Sequence, residues 1–114
     1  MTYSEKALFV GPSLILSVMK RNFEILISYR TPQGFRACGQ YFLGKDRAFA
    51  EQVFKGLTGR QDIDDNAVIH LDLLELTDCL PEKVKTISCR LNELGENCWY
   101  ITRELFRADA IEPH

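Results

Sequence analysis

The feature that most constrains this chain is a change of hydrophobic period at residue 44. From Asn22 to Arg30 (NFEILISYR) apolar side chains alternate with polar ones, placing Phe23, Ile25, Ile27 and Tyr29 on one side. Glu24, Leu26, Ser28 and Arg30 fall on the other, a period of two that only a half-buried strand satisfies. Thr31-Pro32-Gln33-Gly34 follows, with Pro and Gly where a tight turn wants a preset and a permissive backbone. Alternation resumes from Phe35 to Leu43, so the domain opens with a β-hairpin. Phe35, Ala37, Tyr41 and Leu43 are expected on one face of it, and Arg36, Cys38, Gln40 and Phe42 on the other.

After Gly44-Lys45 the period becomes helical. Asp46 is an N-cap whose carboxylate can accept from the free amides of a first turn. Phe49, Val53 and Leu57 recur at every fourth position with Ala50 and Phe54 beside them, while Arg47, Glu51 and Lys55 form a charged ladder on the opposite side. Gly56 and Gly59 end this helix. A polar loop with Asp62, Asp64, Asp65 and Asn66 reads as a solvated turn, since its spacing lacks the alternation, the Gly and the Glu of a calcium loop. Ala67 to Leu76 is the most apolar strand. Ile69, Leu71 and Leu73 lie on one side of it; Val68, His70, Asp72, Leu74 and Leu76 lie on the other. Pro81 opens a segment in which Val84, Ile87, Leu91 and Leu94 recur at three, four and three, which predicts a second helix ending at Gly95. Trp99 to Phe106 (WYITRELF) then reads as a fourth strand, with Trp99 in the core.

The expected architecture is therefore α+β, an α/β two-layer sandwich in β-β-α-β-α-β order. It has a four-stranded mixed sheet with two helices on one face. Right-handed crossovers would make strands two, three and four parallel. The layers resemble those of ferredoxin-like plaits, although the element order differs, and a fold alone assigns no function. Residues 19–114 form the single domain. Residues 1–18, with the apolar run Ala7 to Val18, are expected to be an arm or extension outside the core, with Met19 as an alternative start of translation. That run is too short to span a membrane and carries Gly11 and Pro12.

At 114 residues, with 46% hydrophobic and 26% charged residues, the chain can bury a core without staples. Its net charge of −2, with no basic run, removes the strong electrostatic footprint of a nucleic-acid binder. A regulatory nucleic-acid contact would have to assemble from Arg30, Arg36, Arg103 and Arg107. Cys38, Cys79, Cys89 and Cys98 show no CxxC spacing, so the expected state is reduced, mostly buried thiols in a cytoplasmic setting, with no metal and no cofactor.

Two sets of residues invite a functional reading. Leu26, Phe42, Leu74, Leu76 and Phe106 make the second face of the sheet half-apolar, which calls for a cover: the N-terminal arm or a second copy of the chain, making a homodimer. Cys38, Gln40, His70 and Asp72 share that face in the expected register and hold the parts of a thiol–imidazole–carboxylate set, so a small-ligand pocket or an enzyme site is the alternative. The leading expectation is a non-enzymatic, self-associating interaction module.

Overall fold

The computed structural model describes residues 21–63, 66–78 and 80–111. The expected arm at residues 1–18, and Asp64, Asp65, Cys79 and His114, lie outside the described residues.

Six elements follow one another: β1 (Asn22–Thr31), β2 (Gly34–Gly44), α1 (Arg47–Lys55), β3 (Ile69–Leu76), β4 (Glu82–Cys89) and α2 (Leu91–Ile111). The order is β-β-α-β-β-α. The class is α+β with four strands and two helices, but the last two elements trade places with the expectation. Glu82–Cys89 is a strand because its alternation and β-branched Val84, Thr86 and Ile87 suit the free edge of β3. Trp99 to Phe106 is helical because Leu94, Cys98, Ile101 and Leu105 recur at four, three and four, and that stripe packs on the core. Gly95 does not end a helix; it sits inside α2.

Nor is the sheet mixed. Its strand order is β2-β1-β3-β4, and every neighbouring pair is antiparallel. Because β3 reaches β4 through a short turn rather than a helix, no parallel neighbour arises. The α1 crossover still joins two strands of the same direction, β2 and β3, with β1 between them.

The hairpin forms as its turn residues dictate. Thr31 pairs with Gly34, whose φ of +116° is accessible to glycine at little cost, and the Thr31 hydroxyl donates to the Gly34 carbonyl at 2.6 Å. Helix α1 is capped by Asp46, whose carboxylate accepts from the amide of Ala48 at 2.9 Å. On its outer side Arg47 reaches Glu51 at 2.9 Å and Glu75 of β3 at 3.2 Å.

A single core lies between the sheet and both helices. Phe23, Ile25 and Ile27 of β1, Leu71 and Leu73 of β3, and Ile87 of β4 meet Val53 and Phe54 of α1 and Ile101 of α2. Three β-bulges modulate the pairing, and each inserts its extra residue in an edge strand: Cys38 and Leu43 in β2, Val84 in β4. The bulge at Cys38 corrects the expected hairpin faces. Tyr41 faces the core, but beyond the bulge parity flips, and Phe35 lies opposite Arg30 on the uncovered side. The outer edge of β4 is closed at one point by the loop after α1, where Arg60 and Ser88 exchange backbone hydrogen bonds of 2.8 and 2.9 Å.

That loop is fastened to α2 by Asn97, which is 1% exposed. Its Oδ1 accepts from the Thr58 amide at 2.7 Å and its Nδ2 donates to the Thr58 carbonyl at 2.8 Å. The side-chain amide thus acts as a strand partner for one isolated residue.

Candidate functional site

The face of the sheet that neither helix covers carries cross-strand rows that the register sets. One row holds Phe42, Glu24, Leu74 and Lys83; the next holds Gln40, Leu26, Asp72 and Thr86; the next holds Ala37, Ser28, His70 and Ser88. Apolar and polar side chains are interspersed along this face, with Phe42 and Leu74 toward one end and Phe35 and Val68 toward the other. Leu26, Leu74 and Leu76 are half-buried by their neighbours, while Phe42 stays 64% exposed. Four of the five expected interface residues share this face. Phe106 does not: as part of α2 it stands on the other side of the molecule, 75% exposed.

The four expected ligand-binding residues are not drawn into one cluster. His70 and Asp72 are next neighbours on the open side of β3. Gln40 shares the row of Asp72 but lies on β2, with β1 between, about 10 Å away at ordinary strand spacing. Cys38 is the extra residue of its bulge and is exposed. The buried Nε2 of His70 has no hydrogen-bond partner among the described residues. His70 instead stacks on Phe35, ring centroids 4.3 Å apart, with Arg30 5.2 Å from the Phe35 ring. Burial lowers the His70 pKa from its usual value. Asp72 works against that shift, and Lys83 and Arg30 add to it. The carboxylate of Asp72 accepts from the Thr86 hydroxyl at 2.6 Å, with the Lys83 ammonium at 3.9 Å. In this arrangement Asp72 is engaged by β4 rather than orienting the imidazole.

The expectation of mostly buried thiols holds only for part of the set: Cys89 is buried, Cys98 half-buried and Cys38 exposed. Burial, with the nearby Glu93 charge, pushes the Cys89 thiol up to about 11, so it is a poor nucleophile at neutral pH. The four arginines proposed for nucleic acid are dispersed. Arg30 and Arg36 sit on the hairpin opposite Phe35 and Tyr29 respectively, while Arg103 and Arg107 both pair with Glu104 on α2.

A half-open groove of about 810 Å³ lies elsewhere, at the end of the sheet where β3 begins and α2 starts. Tyr29, Val68 and Ile69 give it an apolar floor, and Arg60, Arg90 and Glu93 a polar rim. Glu93 is already committed in part, accepting from the Arg90 amide at 2.8 Å as the helix cap. Neither His70 nor Cys38 lines the groove.

Sequence reasoning missed the outer face of α2. Leu91, Trp99 and Phe106 are 75%, 64% and 75% exposed, which corrects the expected core position of Trp99. Gly95, Trp99, Thr102 and Phe106 recur at four, three and four along the helix and form one solvent-facing stripe. That spacing was available in the sequence, but it becomes meaningful only once the segment is known to be helical. Beside the stripe is a shallow hollow of about 650 Å³ bounded by Gly95, Glu96, Trp99 and Tyr100 and, from the end of α1, Gly56 and Thr58. The Arg103 guanidinium stacks over Trp99 at 4.9 Å and Tyr100 at 5.3 Å. Among the described residues no helix is long and apolar enough to cross a membrane.

No protein-family model, curated protein or solved structure matches this chain.

Proposed function

We propose that this chain is a non-enzymatic interaction module that associates with itself. The observation that carries the reading is the distribution of uncovered apolar side chains. Both helices cover one face of the sheet, yet Phe42, Leu91, Trp99 and Phe106 remain at least 64% exposed. Scattered single exposures are ordinary, but aligned large residues mark association surfaces. The sheet edges are poor routes to assembly. All three bulges lie on β2 and β4, Lys83 and Lys85 occupy β4, and Arg60 already pairs with Ser88. Association is therefore face to face, through the open sheet side or through the outer side of α2.

The test is the molar mass of the full chain by light scattering at tens of micromolar, repeated for a chain beginning at Met19. A dimer mass in both is the expected result. A monomer mass in both refutes the reading.

The groove between β3 and α2 favours a second reading, a binder of a small, largely apolar ligand with a polar end. A thermal-shift screen with Arg60→Ala as control separates the two. A ligand that raises Tm in the parent chain but not in the variant supports a pocket.

A further inference from the structure

The geometry points to a two-fold contact in which α2 of one copy lies antiparallel on α2 of a second copy, with Phe106 of each seated in the hollow beside Gly95 of the other. This inference rests on the reading that the chain self-associates and names the surface that does it.

The first argument is Gly95 itself. A glycine inside a helix is unfavourable relative to alanine. Nothing among the described residues requires it: a Cβ at this position meets no heavy atom within 4 Å, and the residue lies inside the helix. Gly95 faces solvent at the N-terminal end of the exposed stripe. An absent side chain with open space before it is a notch, and a notch of this kind serves something outside the chain.

The second argument is shape. Along the stripe small and large residues alternate: Gly95, Trp99, Thr102, Phe106. Phe106 lies eleven positions beyond Gly95, about 16 Å along the helix axis at 1.5 Å per residue. A two-fold axis passing between Trp99 and Thr102 brings each Phe106 opposite the other copy's Gly95, and each Trp99 opposite the other copy's Thr102. Knob and notch occur on the same helix, so one symmetric contact fills both hollows at once and closes.

Charge gives the third argument. Glu96 and Arg103 project from the same flank of the stripe, one turn and a half to two turns apart. In the antiparallel pair each Glu96 lies beside the other copy's Arg103, opposite in sign on both sides of the axis. Arg103 stacks on Trp99 and Tyr100 and already pairs with Glu104, so Glu96 of the second copy adds a second carboxylate to the same guanidinium. Area is sufficient when the rim is included. The exposed parts of Leu91, Trp99 and Phe106 amount to about 400 Å² on each copy, roughly half of the 800 Å² per partner of a standard interface. Glu96, Arg103 and Arg107 border them.

The experiment measures molar mass and dissociation constant for the full chain and five variants. In Gly95→Gln the notch is filled while the helix is strengthened, so Tm of the monomer is unchanged or higher and dimerisation weakens by about thirtyfold or more, as expected on losing a central anchor. Phe106→Asp gives the same loss. Glu96→Arg alone weakens the dimer, and adding Arg103→Glu restores it. A dimer that survives Gly95→Gln and Phe106→Asp, whether or not Phe42→Asp disrupts it, overturns the α2 contact while leaving self-association standing. A parent chain that is monomeric throughout overturns both.

Discussion

Asn97 offers the sharpest test of how this fold is held together. The residue is buried under α2 and makes two hydrogen bonds to the backbone of Thr58, 2.7 Å from its amide and 2.8 Å from its carbonyl. Asn97→Ala removes both and leaves a polar N–H and C=O facing a small void. Each bond contributes about 1 kcal/mol net, and a group left unsatisfied in a part-buried place costs about 1–3 kcal/mol. Thr58 is itself exposed, so water relieves part of that cost. The expected loss is therefore about 2–3 kcal/mol. For a domain of this size that lowers Tm by about 10–20 °C. Urea denaturation followed by circular dichroism, at a concentration low enough to hold the association state constant, gives the number directly. Asn97→Asp sharpens the test. It keeps an acceptor for the Thr58 amide but sets a second acceptor against the Thr58 carbonyl, so it is at least as destabilising as alanine at pH 7. Burial and that carbonyl raise the folded-state pKa of the new carboxyl. Its proton can then replace the lost donor, so the variant regains stability as pH falls. A loss under about 1 kcal/mol in Asn97→Ala, or an aspartate variant with no recovery in acid, would refute the claim that this side chain acts as a strand partner.

Three further outcomes follow from the same structure. The His70 pKa is lowered by burial, so its contribution to stability is present above the unfolded pKa and is lost as pH falls through the folded one; His70→Phe should show a shallower stability loss between about pH 7 and pH 5 in parallel urea titrations. Cys89, raised from 9.0 to about 11, behaves in the opposite sense: its contribution is present below about pH 9 and disappears as pH rises toward 11. Thiol labelling at pH 7.5 followed by peptide mass spectrometry should accordingly modify exposed Cys38 well before Cys89, and equal labelling rates would contradict the assigned burial. Gly59→Ala places a Cβ 2.5 Å from the carbonyl oxygen of Ser88, a backbone atom that cannot swing aside, so the Arg60–Ser88 bridge should open at a cost of about 1–3 kcal/mol by chemical denaturation.

The functional proposals depend on placements that differ in how far the sequence supplied them. The shared face of Leu26, Gln40 and Asp72 was readable from period-two alternation on β1, β2 and β3, but not the antiparallel register that sets them in one row. The expected grouping of Cys38 with His70 failed because a one-residue bulge resets β2 parity at Cys38 and leaves that residue outside the ladder. Phe106 was assigned to an interface while placed on the wrong element. Its exposure survives, but it shares a helix stripe with Trp99 and Thr102 rather than a sheet face with Phe42 and Leu74.

By itself the sequence determined the elements whose period is unambiguous: the hairpin with its Thr31–Gly34 turn, α1 with the Asp46 cap, and β3 with Ile69, Leu71 and Leu73 toward the core. In these segments the pattern of apolar side chains, the turn residues and the cap all agree, and each acts within a few residues along the chain. Tertiary structure decided the rest. Val84 to Leu94 carries both a helical and an alternating pattern, and which one prevails depends on whether a distant strand, β3, offers a free row of backbone donors and acceptors. Once β4 fills that row, the following segment turns back across the sheet and packs Ile101 on its core face. Trp99, Tyr100 and Thr102, residues with a strand preference, then complete their backbone hydrogen bonds within a helix. Strand order, the bulges that shut the edges, and the sides on which apolar surface remains uncovered all follow from such long-range pairing, which local periodicity does not encode.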